Sequence, residues 1–437
     1  MAFSLTLGER TLSGPDLIAE LRAQQGALAQ VGVGPGEVVA FVARVDEPTL
    51  LLALALFEAR IPFFPLHPRA PAAERADLVA QAGARLVEPS RGPPPPALWL
   101  AAFDRASEAT AALVATSGST GEPKLCVLPR RAFEASARAS ALNLGFHLED
   151  RWLLCLPFAH VGGLSILTRA WLAERAVVAH PGFEPEAVLE HIEQRGVSLL
   201  SAVPSMLGPL FEADTRGALG RLRFLLVGGA SCSSELRRES LARDVPLVAS
   251  YGLTEACSQV ATQRLGQRHD PESLDSGHPL PGVEISIVDG RISLSGPTLA
   301  RSYLGEEPWS SFTTGDLGEL DGDGRLFVHG RADDVIVTGG ENVHPEAVQR
   351  VLRGVEGVSD ALVFGVPDPR LGQSLAAALV LAPGYEVERV LERAARDLAS
   401  YARPRQVVCV SALPARELGK PDRRAAAREL GPNLRPC

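Results

Sequence analysis

The sequence predicts an α/β protein: a large N-terminal domain of several subdomains, with β-sheets flanked by helices, followed by a small α+β C-terminal domain. Three observations predict it. Helix-like and strand-like stretches alternate through the first two-thirds of the 437-residue chain, the pattern of sheets with helices on their faces. From Val283 this gives way to short alternating strands joined by Asp-Gly turns. After Arg331 a fresh, shorter mixture of helices and strands begins. We expect one domain over 1–332 and a second over 333–437.

The elements follow in order. Ser13 reads as an N-cap, with Pro15 in the first turn of a helix running to about Leu28. Residues 38–43 read as a buried strand, 47–60 as a helix, and 85–87 as a strand after an Ala-rich helix. Gly92-Pro93-Pro94-Pro95-Pro96 reads as a stiff spacer, with docking to an SH3-like partner as the alternative. Val283-Glu284-Ile285-Ser286-Ile287-Val288 alternates, Asp289-Gly290 predicts a type I′ turn, and residues 291–294 return. Asp321-Gly322-Asp323-Gly324 is a second hairpin turn; the remaining ligands and closing glutamate of an EF-hand are missing. Beyond Arg331 we expect a helix at 345–353, strands at 358–366 and 375–381, a helix at 387–398, a strand at 406–410 and a last helix after a loop holding Lys420.

Composition excludes several classes. Lys and Arg total 43 against 52 Asp and Glu, a net charge of −9, which argues against a nucleic-acid binder. The longest apolar run, 50–57, is far short of the ~20 residues that span a bilayer, so no membrane span is expected. Met1-Ala2-Phe3-Ser4-Leu5 carries no secretory pattern, and a cytoplasmic location is expected. The six cysteines form no CxxC pair and stand at no zinc-finger spacing, so they read as reduced thiols. Only two of the basic residues are lysines, Lys124 and Lys420. Arginine does not reproduce a compact ammonium on a flexible stem, and both lysines fall inside the motifs below.

Thr116-Ser117-Gly118-Ser119-Thr120-Gly121-Glu122-Pro123-Lys124 follows an expected strand at 112–115. Glycines let a backbone approach an anion closely, and hydroxyls and amides donate to it. The order is not that of a Walker loop, and an ordinary Ser/Gly turn is the other reading. Ser250-Tyr251-Gly252-Leu253-Thr254-Glu255 offers an aromatic face, a close-packing glycine, a hydroxyl and a carboxylate. Magnesium commonly takes one or two carboxylates beside substrate phosphates, which makes Glu255 the metal candidate. The alternative is a helix-start glutamate capped by Thr254. Thr313-Thr314-Gly315-Asp316 puts a carboxylate after a tight turn, able to accept from two ribose hydroxyls or merely to bond its own backbone. Gly330-Arg331-Ala332-Asp333-Asp334, then Thr338-Gly339-Gly340-Glu341-Asn342, reads equally as a hinge or a linker. His160 lies between an apolar stretch and Gly162-Gly163, as a site residue or a core-edge histidine. Leu418-Gly419-Lys420-Pro421 by itself is a loop.

Together, TSGSTGEPK, YGLTE, TGD, GRADD, GGEN and the late GK occur in the order found in the acyl-adenylate-forming superfamily, which the chain resembles from about residue 30 to its end. Within it the chain is most similar to the o-succinylbenzoate–CoA ligases of menaquinone biosynthesis, through LPFAHVGGLSIL at 156–167 and YGLTEACSQVAT at 251–262. Leu125 and Cys126 stand where the family has small residues, and Ala159 where an aromatic often precedes the histidine.

The resemblance implies ATP, Mg2+ and coenzyme A as cofactors, a small carboxylic acid as substrate, and a mobile C-terminal domain. It implies that Thr116, Ser117, Gly118, Ser119, Thr120, Gly121 and Lys124 grip the β- and γ-phosphates. Gly228, Gly229, Ala230, Tyr251 and Gly252 would frame the adenine, and Asp316 with Arg331 would hold the ribose. Thr254 and Glu255 would serve phosphate and magnesium, Asp333 would be the hinge, and Gly339 and Gly340 would border the pantetheine tunnel. Lys420 would bridge the substrate carboxylate and the α-phosphate, and His160 would line the acyl pocket. For the second carboxylate of a dicarboxylic acid, Ser165, Ser258, Gln259 and Thr262 are candidates, with helix-surface polarity as the other reading. A ligase for another aryl or medium-chain acid, or a nucleotide-binding homologue without catalysis, remains open. So does the choice between monomer and homodimer.

Overall fold

The computed structural model describes residues 3–34, 36–90, 108–116, 123–266, 269–414 and 422–437; the proline run at 92–96 lies outside them. Two compact units result. The first comprises Met1–Ser286, Ser293–Phe312 and Gly322–Leu326, the second Ile287–Ile292, Thr313–Asp321 and Phe327–Cys437.

The first unit holds two large sheets. One is nine-stranded, in the order His278–Pro279, Ser258–Thr262, Leu247–Leu253, Phe224–Val227, Leu199–Ala202, Arg151–Leu154, Ala176–Ala179, Ser4–Leu7, Arg10–Ser13. Its middle strands run parallel, and Phe224–Val227 and Leu199–Ala202 are buried at every position. This is why they read as continuous apolar runs rather than as alternation.

The other sheet is six-stranded: Ser302–Tyr303, Lys124–Pro129, Thr110–Thr116, Phe63–Leu66, Val39–Val42, Arg85–Leu86. The helix Glu47–Ala59 links two of its parallel strands. Asp46 caps it by accepting from the Thr49 amide at 3.0 Å, and Arg60 ends it in the left-handed region. Its apolar stretch is covered nearly all round, so the chain's longest hydrophobic run is a core helix. Among the described residues no helix is long and apolar enough to cross a membrane.

The second unit is built on the antiparallel pair Val358–Asp368 and Gly372–Leu381. Strand periodicity sends Ala361 and Val363 to one core with Val348, Leu352, Val387 and Val390. It sends Leu362, Phe364 and Val366 to another core, with Ala426 of the last helix, Arg423–Leu430. The helix Pro345–Arg353 has the expected bounds.

Three local expectations change. The helix expected to reach 398 stops at Ala394, because the Arg403 side chain takes the Ala395 and Leu398 carbonyls at 2.7 and 3.1 Å. Residues 313–316 lie within the strand Phe312–Leu320 rather than after a tight turn. Gly339 and Gly340, with φ of 59° and 88°, form the turn of a hairpin between Ile336–Thr338 and Glu341–Val343.

Candidate active site

In open parallel sheets, ligands bind beyond the carboxyl ends of the strands. The first unit brings three of the expected motifs there. His160 stands at the N-terminal boundary of the helix Val161–Leu172, a few residues after Arg151–Leu154, without a side-chain capping bond. Gly228, Gly229 and Ala230 follow Phe224–Val227, with Gly229 at φ 82°. Tyr251 and Gly252 close the strand Leu247–Leu253 at a bulge, where a Cβ on Gly252 would lie 2.0 Å from the Ser258 carbonyl oxygen. Only glycine fits that crossing. His67, passed over in the sequence, faces His160 with ring centroids 5.2 Å apart.

Thr116 and Lys124 are paired in register at the ends of two antiparallel strands, and the Thr116 hydroxyl donates to the Lys124 carbonyl at 3.3 Å. Ser117, Gly118, Ser119, Thr120 and Gly121 lie outside the described residues. The described residues on either side belong to antiparallel neighbouring strands, Thr110–Thr116 and Lys124–Pro129. Lys124 Nζ lies 3.4 Å from Glu306 Oε1 and 4.4 Å from the centre of the Tyr303 ring. The Tyr303 hydroxyl donates to Glu255 Oε1 at 2.7 Å. Thr254 and Glu255 form a short 3-10 turn, Thr254–Ala256, with no side-chain cap, so the capping alternative does not apply.

After that turn Cys257 and Ser258 have φ of 51° and 90°, unusual for residues other than glycine. Ser165 Oγ donates to the Gly162 carbonyl at 2.9 Å and lies 3.3 Å from Ser258 Oγ. Gln259 and Thr262 belong to a buried strand and not to a helix surface. Gln259 accepts from Ser140 at 2.8 Å and donates to Thr262 Oγ1 at 3.0 Å, and Thr262 meets Ser250 Oγ at 2.9 Å.

Sequence reasoning missed Arg169. It is 2% exposed, one turn beyond Ser165 on the same helix. Its Nη2 donates to Ser136 Oγ at 2.9 Å, and Ser136 in turn donates to the Cys257 carbonyl at 2.9 Å. Its Nε has no hydrogen-bond partner, and among the described residues no carboxylate pairs with it. Burial lowers its pKa from 12.5 to about 10, and burial also pushes the neighbouring Cys257 thiol up to about 12. The one available signal was an arginine in an otherwise apolar helix segment.

In the second unit, Asp316 Oδ1 lies 3.4 Å from Arg331 Nη1, and Arg331 Nη2 lies 3.7 Å from Asp333 Oδ2. A Cβ on Gly315 would come within 2.5 Å of the Arg331 guanidinium, so that glycine keeps the approach open. Asp334 pairs at 2.8 Å with Arg423 of the last helix, which also donates to Gln349 at 2.7 Å. Burial raises the Glu346 carboxyl, with Arg423 opposing it. Lys420 lies outside the described residues; the Asp422 amide donates to the Pro414 carbonyl at 3.2 Å.

Residues 95–304 match the AMP-binding enzymes, and residues 347–420 match the AMP-binding enzyme C-terminal domain. The chain belongs to this adenylate-forming class. It is 32% identical to the 2-succinylbenzoate–CoA ligase of Bacillus licheniformis, over 93% of this chain and 92% of that one. The o-succinylbenzoate CoA synthetase of Bacillus subtilis, solved with its acyl-adenylate intermediate OSB-AMP, superimposes with a TM-score of 0.87 at 29% identity, covering 96% of this chain and 94% of that one. The same Bacillus subtilis protein with ATP and magnesium gives a TM-score of 0.85 at 28% identity, over 96% and 95% of the two chains. Within the class, the chain's family is that of the 2-succinylbenzoate–CoA ligases, which are acid–thiol ligases.

Proposed function

We propose that the protein is an ATP-dependent ligase that converts 2-succinylbenzoate to 2-succinylbenzoyl-CoA in menaquinone biosynthesis, in the cytoplasm. In the first half-reaction an oxygen of the substrate carboxylate attacks the α-phosphorus of ATP. Pyrophosphate leaves and an acyl-AMP forms. Charge gathers on phosphoryl oxygens, so cations and positioning carry the step. Lys124 and the loop 117–121 hold the terminal phosphates, Gly228, Gly229, Ala230, Tyr251 and Gly252 frame the base, and Asp316 with Arg331 holds the ribose. Lys420 neutralises the two anions that must meet, and His160 lines the acid's path. In the second half-reaction the deprotonated thiol of coenzyme A attacks the acyl carbon and AMP leaves. The hinge is Asp333, and the turn at Gly339-Gly340 borders the thiol's route; the domains swing as 1–332 and 333–437.

The donor set fits magnesium. Glu255 offers a second carboxylate oxygen beside Thr254, and the described residues hold no cluster of three metal-binding side chains. A hard cation shared between one carboxylate and substrate phosphates matches this arrangement. When bound, the ion neutralises phosphate charge.

Arg169 carries the choice of acid. A buried guanidinium without a carboxylate partner among the described residues, one helical turn from Ser165 and linked through Ser136 to the Cys257 carbonyl, suits a substrate that brings a second carboxylate of its own. Ser165 and Ser258 are the adjoining donors, with Gln259 and Thr262 as the layer behind them. Pyrophosphate release measured with a panel of acids tests the reading. Release with 2-succinylbenzoate at least tenfold above benzoate and medium-chain acids is expected; equal release with a monocarboxylate rejects it. Release with none of the acids favours a binding protein without catalysis.

A further inference from the structure

We infer that Tyr303 is a positioning residue for the polyphosphate and metal end of the site: its hydroxyl orients the Glu255 carboxylate while its ring seats the Lys124 ammonium. The inference rests on the roles proposed above for those two residues.

The residues that would meet magnesium and the terminal phosphates come from different elements, and the Tyr303 side chain touches both Glu255 and Lys124. Its hydroxyl reaches Glu255 Oε1 at 2.7 Å, which leaves the other carboxylate oxygen to face a cation. Its ring lies 4.4 Å below Lys124 Nζ, within the range of a cation–π contact.

The tyrosine is itself well held. The strand Ser302–Tyr303 pairs with Lys124–Pro129, with Tyr303 opposite Cys126 and the Leu304 amide donating to the Leu125 carbonyl at 2.8 Å. The Ala300 amide donates to the Glu255 carbonyl at 2.8 Å, so the same short segment ties down the backbone of the carboxylate it orients. Trp309 and Phe312 meet the ring edge-on, with centroids 4.9 and 6.3 Å away. Glu306, the other partner of Lys124, is half exposed, and such a pair holds little energy. An incoming phosphate displaces Glu306 while the ring keeps the ammonium in place.

The test is calorimetric titration of ATP with and without Mg2+, in the absence of acid and CoA. Tyr303→Phe keeps the ring and removes one charge-assisted hydrogen bond. It is expected to leave Mg2+-free ATP affinity within about twofold and to cut the affinity gained on adding Mg2+ by roughly tenfold. Tyr303→Leu is expected to weaken Mg2+-free binding as well. Glu255→Gln serves as the reference. If it retains the Mg2+-dependent gain, the reading of Glu255 as metal ligand falls. If it loses the gain while Tyr303→Phe matches the wild type, the present inference falls alone. A lower melting temperature for Tyr303→Phe with an unchanged Mg2+ dependence also overturns it. Incorporating 3-fluorotyrosine at 303, nearly isosteric and a stronger donor, is expected to preserve or raise the gain; a reduced gain counts against the proposal.

Discussion

Replacing Arg169 by methionine should make the ligand-free protein more stable and the enzyme much worse. The guanidinium is 2% exposed, and burial brings its pKa from 12.5 to about 10. At about 1.4 kcal/mol per unit, holding the charge there costs on the order of 3 kcal/mol. Methionine, of similar length, removes that cost and forfeits one hydrogen bond to Ser136, a loss of about 1 kcal/mol. The net gain of about 2 kcal/mol corresponds to a rise in Tm of about 3 °C for a unit of this size. The assays are thermal unfolding without ligands and steady-state pyrophosphate release against acid concentration. The substrate's second carboxylate then lacks its cation, and KM for 2-succinylbenzoate should rise by about 100-fold, as when one member of a buried charge pair is removed. A Tm at or below that of the wild type, together with an unchanged KM, assigns Arg169 to the scaffold and refutes the reasoning.

Other perturbations separate further roles. Lys420→Ala should lose at least ~100-fold in adenylation while thiolysis of supplied acyl-AMP continues, and equal loss of both steps contradicts that division. Ser258→Ala should raise KM for the acid with little change in Tm, whereas Thr262→Val, which strips Gln259 and Ser250 of a buried partner, should lower stability by about 1–3 kcal/mol and leave KM alone. The opposite pattern would exchange their roles.

Asp150 supplies a pH test. Burial pushes its carboxyl up, but Arg223, the His147 amide and Ser198 more than offset this, and its pKa is lowered overall. A carboxylate depressed in the folded state stabilises above its unfolded pKa of about 3.9 and loses that contribution as pH falls through the folded value. Asp150→Asn should therefore lower stability at pH 7 by about 3 kcal/mol and flatten the acid limb of denaturation curves below about pH 4. An acid limb as steep as that of the wild type removes Asp150 from the account.

The elements that were legible carry local signals strong enough to stand alone. Asp289-Gly290 was readable as a type I′ turn because the pair tolerates φ of 48° and 74°. Pro345 in the first turn marked its helix to the residue. The Gly339-Gly340 hairpin was missed because its flanking strands are three residues each, too short to show alternation. Asp316 was misplaced after a turn because Gly315 breaks the pattern of a strand that continues through it.

The residues proposed for the site were nameable from their chemistry, but their neighbours were not. Arg169 is one of 41 arginines; its apolar helix segment was a weak signal, and its burial is seen only in the folded chain. Tyr303 meets a carboxylate 48 positions away, a pairing that no local pattern announces. Gln259 and Thr262 looked like donors to a ligand, and the folded chain spends their hydrogen bonds on each other.

The seam at Gly252 has an evolutionary corollary. With the Ser258 carbonyl oxygen 2.0 Å from where a first side-chain carbon would stand, position 252 of the strand Leu247–Leu253 admits glycine alone. The helix Val161–Leu172 is wired to the Cys257–Ser258 corner that follows: Ser165 meets Ser258 directly, and Arg169 reaches the Cys257 carbonyl through Ser136. Exchanges at 165 or 169 should therefore be accompanied by compensating changes at 136 or 258, while glycine is retained at 252.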